Sequence, residues 1–135
     1  MIRPARPADV PLMLRMLCES AAEQGSPQAI AVSETDLLED GFGGQPRFQS
    51  LIAEVDDAPA GMALYFFNYS TWTGKPGLYV RHPSPCYIQF NALKLEDLFV
   101  KPEHRANGIG KALFGYLGRV AQEKVSISRP IWFLF

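Results

Sequence analysis

The chain has 135 residues, enough for one domain with a single core and too few for two. Thirteen basic against fourteen acidic side chains give a net charge of −1, and 47% hydrophobic with 20% charged residues is ordinary for a soluble globular protein. No basic stripe of the kind nucleic-acid binding needs is present, and apolar runs such as Met62–Phe67 fall far short of the roughly 20 residues that span a bilayer.

The N-terminus has no apolar stretch behind Arg3 and Arg6, so no secretory leader is expected. Ile2–Arg3 can open a short strand. Asp9 is a candidate N-cap, with Pro11 tolerated in the first turn and Val10, Met13, Leu14, Leu17 and Ala21 at helical spacing; this predicts an amphipathic helix over 9–23. Cys18 and Cys86 are the two cysteines, and they read as free thiols of a reducing, cytoplasmic compartment rather than as a disulfide. Ser33 with Asp36 three residues on forms a capping-box pattern that starts a short helix through Leu37–Leu38. Strands are expected at 48–55 and 62–69, joined by the turn cluster 56–61 into an antiparallel hairpin. A loop at 73–77, a strand at 95–100 stopped by Pro102 and a helix over 108–123 complete the pattern of an α/β domain with a mixed sheet.

The most chemical stretch runs from Leu95 to Phe114 as strand, short turn, glycine pair and helix. A helix N-terminus offers unpaired N–H groups and a partial positive charge to an anion, and glycines at 108 and 110 let a phosphate approach the main chain. Arg105 and Lys111 add charge nearby. The spacing is neither a Walker A loop nor a dinucleotide fingerprint. On physics alone, an anion site and a merely glycine-rich helix start are equally consistent with it.

R-x-x-G-x-G before a helix, after a strand ending in V-x-P, resembles motif A of the GNAT acetyltransferases. The segments T-D-L-L-E-D-G-F-G at 35–43, L-I-A-E-V at 51–55 and L-E-D-L-F-V at 95–100 are similar to the diamine (spermidine/spermine) acetyltransferase branch, over about residues 1–79 and 95–124. The resemblance implies the GNAT fold, a mixed and mostly antiparallel sheet flanked by helices. It also implies acetyl transfer from acetyl-CoA to a primary amine of a diamine, polyamine or lysine-like amino acid, without a metal. The turn Arg105, Ala106, Asn107, Gly108, Ile109, Gly110 and Lys111 would hold the pyrophosphate, and the main chain of Leu98, Phe99 and Val100 the pantetheine arm.

The chemistry sets its own requirements. An alkyl ammonium has a pKa of about 10.4, so only about one in a thousand is nucleophilic near neutrality. The site must attract a cation, accept its proton and stabilise an oxyanion. The resemblance implies Glu96 as base or water-holder and Asp97 as a substrate-binding group, with the Leu98 amide as candidate oxyanion donor. One apart on a regular strand, the two side chains would face opposite sides of the sheet and could pair only across a bulge; strand-end salt bridges are the alternative role. Trp72 either walls the amine's alkyl chain or is simply packed. Glu34 and Asp36, with Glu39 and Asp40, either bind distal ammonium groups or form a solvated, capped helix face. The segment 23–32, where the branch usually has more acidic residues, is mostly neutral here, which weakens a claim for spermine or spermidine over a shorter diamine or a lysine-like amine. His82 and Cys86 lack the further ligands a zinc site requires.

Two departures from the branch stand out. Residues 80–94 form an insertion between Tyr79 and Leu95, which are adjacent in the branch, and similarity fades after Lys124. A single domain over 1–135, incomplete at its C-terminus, is therefore expected. The family's last strands and helix, and the tyrosine that protonates the leaving thiolate, would be missing, along with part of the contacts of the homodimer that the resemblance implies. A catalytically impaired acetyl-CoA-binding module and a non-functional product are the competing expectations. Both foreign segments open on valine (Val80, Val125), whose codons all begin with GT, and the insertion closes on Lys94, whose codon can end in AG. Both are expected to be translated introns, with a real insertion loop and a shortened C-terminus as the competing reading; a transcript running directly from Tyr79 to Leu95 would bear the first out, and a gene without introns would overturn it.

Overall fold

The computed structural model describes residues 1–70, 75–77 and 93–124. Trp72, Cys86 and most of the segment 80–94 therefore lie outside the described residues, as do Val125–Phe135.

Helix α1 (Val10–Glu23) buries Val10, Met13, Met16, Leu17 and Ala21 along one stripe and follows a 3-10 turn at Pro7–Asp9. Asp9 precedes it without capping it. Its carboxylate accepts instead from the Arg6 N–H at 2.7 Å and from both terminal nitrogens of Arg3 at 2.8 and 3.0 Å, because the 3-10 turn aims it back along the chain. The expected capping box is present on α2 (Glu34–Phe42): the Asp36 N–H donates to Ser33 Oγ at 3.1 Å and the Ser33 N–H to Asp36 Oδ2 at 2.8 Å.

Strand β1 (Ile2–Pro4) pairs with β2 (Gln49–Val55), and β2 with the long central β3 (Ala58–Ser70). The β2–β3 turn is shorter than the six residues expected. Asp56 and Asp57 both adopt left-handed conformations (φ 51° and 62°), the pair of positive angles that closes a two-residue hairpin with the strands' own twist. Pro59 thereby enters a strand, which its missing N–H permits because the register slips beside it: Ala53 faces Gly61 while Glu54 faces Pro59, leaving Ala60 as an extra residue.

On its other edge β3 pairs with β5 (Leu93–Val100), and its far end with β4 (Lys75–Gly77). All four pairings among the described residues are antiparallel. Strand β5 begins two residues earlier than expected, so Leu93 and Lys94 of the insertion pair with Phe67 and Phe66.

Alternation divides the core into two layers. Leu51, Ala53, Ala63 and Tyr65 face α3 (Ile109–Lys124) and pack with Leu113 and Leu117. Ile52, Met62, Leu64 and Phe99 face α1 and α2, meeting Met13, Met16, Leu17 and Leu37. Both faces of β3 are thus covered, which fixes β5 and the start of α3 against it. No helix among the described residues is long and apolar enough to cross a membrane.

Candidate active site

Strand β5 carries the two carboxylates of the L-E-D-L-F-V segment, and its register is broken between them. Leu64 faces Asp97 while Tyr65 faces Leu95, so Glu96 is the extra residue of a β-bulge. Regular alternation would have put Glu96 and Asp97 on opposite faces; the bulge removes that separation. Glu96 is exposed and Asp97 half-buried. Burial first, and then the negative charge of Glu96, push the Asp97 carboxyl above its ordinary value of 3.8, so the two groups lie within electrostatic reach of each other. An exposed carboxylate beside a partly desolvated one is an arrangement that can attract an ammonium and relieve it of a proton.

Beyond the bulge, Leu98 packs beside the α3-side core and Phe99 is 4% exposed in the α1-side core. Side chains anchored in opposite layers leave the backbone of this segment as the part able to meet a ligand. The ladder closes with the Lys101 N–H on the Ala60 carbonyl at 2.8 Å, and Pro102–His104 turns the chain as a short 3-10 helix.

From there the turn reaches α3 through two left-handed residues, Ala106 (φ 63°) and Gly108 (φ 78°). The first α-helical bond runs from the Ala112 N–H to the Gly108 carbonyl at 2.9 Å, so the amides of residues 108–111 have no acceptor within the helix. A Cβ placed on Gly108 or Gly110 would meet nothing within 4 Å, so neither glycine is demanded by packing. A cavity of about 320 Å³ opens here, lined by Val100, His104, Arg105, Ala106, Gly108, Ile109 and Gly110. Unpartnered amides, space above the glycines and a cavity of this size fit an anionic group such as a pyrophosphate.

Six of the expected cofactor-binding residues line this cavity, whereas Asn107 and Lys111 stand exposed outside its lining. His104 lines it and was not anticipated, because only its place directly before the R-x-x-G-x-G motif marks it in the sequence. The guanidinium of Arg105 is already engaged: Nε donates to the Val100 carbonyl at 2.8 Å, Nη2 donates to both Glu23 carboxylate oxygens at 2.7 and 2.6 Å, and the group lies 5.7 Å from the Phe99 ring centre.

The remaining expected residues are less concentrated. Glu34 is exposed at the start of α2. Asp36 is spent on the cap, which holds its carboxyl below the ordinary value through the Ser33 backbone N–H. Trp72, His82 and Cys86 lie outside the described residues; Cys18 is exposed and unpaired. Tyr116, on α3, packs against the core with Arg119 stacked 5.5 Å from its ring centre.

Comparison with known proteins gives a consistent result. The model of the acetyltransferase (GNAT) family matches residues 13–134, continuing past Lys124, where similarity to the diamine branch was expected to fade. A thialysine N-epsilon-acetyltransferase of Sus scrofa is 36% identical over 132 residues, covering 92% of this chain and 68% of the relative. The human spermidine/spermine N(1)-acetyltransferase-like protein 1 is 35% identical over 127 residues, covering 89% of this chain and 16% of that longer protein. Among solved structures, an aminoglycoside acetyltransferase from an uncultured soil metagenomic sample, crystallised with sisomicin, superposes with a TM-score of 0.66 at 17% identity, over 92% of this chain and 70% of that one. A likeness at that identity speaks for the fold alone.

Proposed function

The chain belongs to the acetyltransferase (GNAT) family, and on that footing we propose that it moves the acetyl group of acetyl-CoA to a primary amine of a lysine-like amino acid, a diamine or a polyamine. The observation that carries this reading is the bulge at Glu96, which gathers two carboxylates on the strand that runs into the anion-ready turn. Relatives whose names specify thialysine and spermidine or spermine support an amine acceptor, and the mostly neutral segment 23–32 weighs against the polyamine end of that range.

In this reading the amides of residues 108–111 and the open space at Gly108 and Gly110 receive the pyrophosphate, with His104 beside it. The backbone of Leu98–Val100 lies alongside the pantetheine arm and holds the thioester over the bulge. Asp97 places the ammonium. Glu96, directly or through a water, takes one proton from it. The freed nitrogen lone pair then attacks the thioester carbonyl carbon, and the Leu98 N–H meets the developing oxyanion. The C–S bond breaks, the nitrogen gives up its second proton as the amide forms, and the CoA thiolate takes up one proton in exchange with solvent. Attack is direct, with both substrates bound and no covalent link to the protein. We assign this activity to one domain acting in the cytoplasm.

The test is amine-dependent release of CoA, followed with a thiol reagent across lysine, thialysine, putrescine, spermidine and spermine, with the product identified by mass spectrometry. Turnover on one or more of these amines is expected, lysine-like acceptors leading. Binding of acetyl-CoA without release on any of them would instead make the chain a silent acetyl-CoA-binding module.

A further inference from the structure

Glu23 is the last residue of α1, where an acidic side chain meets the partial negative charge of the helix end, and no basic residue occupies that last turn. Local helix chemistry therefore disfavours it. What Glu23 gains is Arg105, 82 positions away in sequence, held by Nη2 at 2.6 and 2.7 Å to the two carboxylate oxygens. The same guanidinium binds the Val100 carbonyl at 2.8 Å and stacks on Phe99, so it is pinned to the helix, to the strand end and to a core ring at once. Immediately after it stands Ala106 at φ 63°, a conformation that residues with a Cβ rarely hold unless their surroundings impose it. Only one residue, Asn107, separates Ala106 from the left-handed Gly108 and the unpartnered amides.

We infer that Glu23 is a positioning residue for the turn at 105–110, acting through Arg105 to hold the strained backbone in the shape that receives the pyrophosphate; this rests on the acetyl-CoA reading above. Glu23 touches no substrate in this scheme. Its carboxylate fixes the guanidinium, the guanidinium fixes the entry to the turn, and the turn presents its amides already aimed. Without the carboxylate the turn samples other shapes, and the apparent affinity falls by the fraction of molecules still competent. A turn competent in a fifth of molecules weakens binding about fivefold.

The experiment compares the parent chain with Glu23→Gln and with Glu19→Gln, a control that removes the same charge from an exposed position one turn earlier on α1. Acetyl-CoA binding is measured by titration calorimetry, unfolding without ligand by thermal denaturation, and turnover as KM against kcat. E23Q is expected to weaken acetyl-CoA binding and raise its KM on the order of fivefold, leaving kcat at saturation and the unfolding midpoint near the parent's. Amide exchange at 105–110 should speed up, and E19Q should match the parent. In the Arg105→Gln background the E23Q change should have no further effect on affinity.

Equal affinity in E23Q and the parent overturns the inference while leaving the acetyl-CoA reading intact. A large fall in the E23Q unfolding midpoint also overturns it, since the contact would then serve the fold. A parent that folds but binds no acetyl-CoA overturns both.

Discussion

In the proposed reaction Glu96 and Asp97, neighbours in sequence, take different duties, and two substitutions separate them. Replacing Glu96 with Gln should lower kcat by roughly a hundredfold or more while leaving acetyl-CoA affinity unchanged. If Glu96 accepts the amine's proton, the deficit should shrink as pH approaches the amine's own pKa of about 10.4, which a pH–rate profile would reveal. Asp97 is held above the ordinary carboxyl value of 3.8 by burial and by Glu96. Between 3.8 and that raised value the folded state binds more protons than the unfolded one, so this group's contribution to stability falls as pH rises through the window. Asp97→Asn should therefore melt higher than the parent near neutral pH and lose that advantage below the ordinary value, as thermal denaturation across pH would show. Amine KM should rise in the same variant. These residue identities were legible in the sequence through the L-E-D-L-F-V segment, but their meeting was not. Alternation put them on opposite faces, and the slip that reunites them depends on how β5 pairs with β3 some thirty residues away.

At the level of elements, the turn into α3 separates packing from binding. Gly110 sits in the first helical turn with nothing within 4 Å of a built Cβ. Ala in its place should leave stability unchanged or improve it by up to about 1 kcal/mol, the usual helical advantage of Ala over Gly. Acetyl-CoA affinity should nonetheless fall, because the methyl group occupies the space above the amides. Calorimetric titration beside a thermal melt measures both; affinity equal to the parent's would remove the pyrophosphate from this turn. The helices and the Ser33 capping box were legible because their signals are local, three to four residues apart. The hairpin was misjudged in length because Asp56 and Asp57 close it without any glycine, and a run of Asp, Ala, Pro and Gly reads as loop wherever the strand pairing is unknown. His104 escaped notice for a related reason: a histidine in a turn acquires a role only from the cavity beside it.

For the molecule as a whole, the two-layer core follows from simple alternation: residues 51, 53, 63 and 65 pack toward α3 and residues 52, 62 and 64 toward α1. A sheet flanked by helices was legible through the family resemblance, but the layer each strand residue joins was not, because 51–53 and 62–65 are continuous apolar runs without alternation. The cross-molecule ties were not readable. Arg3 joins Asp9 to Glu54, and Arg105 joins the end of α1 to the end of β5; each arginine reaches a partner more than fifty positions away, between charged residues that, read singly, look like ordinary surface. Such contacts exist only once the sheet has brought distant segments together.

The register of β5 against β3 has a further consequence. Four consecutive pairs, Gly61 with Val100 through Leu64 with Asp97, lie between the extra residue at Ala60 and the extra residue at Glu96. Both ends of that block adjoin the candidate site, since one carries the two carboxylates and the other feeds the turn beside the cavity. Removing or adding one residue inside it would exchange inward for outward at every later position, moving Phe99 out of the core and the turn off its cavity together. In evolutionary terms this stretch can drift by substitution but not by length. Insertions in a lineage of such chains should therefore collect on either side of residues 97–100, never within them.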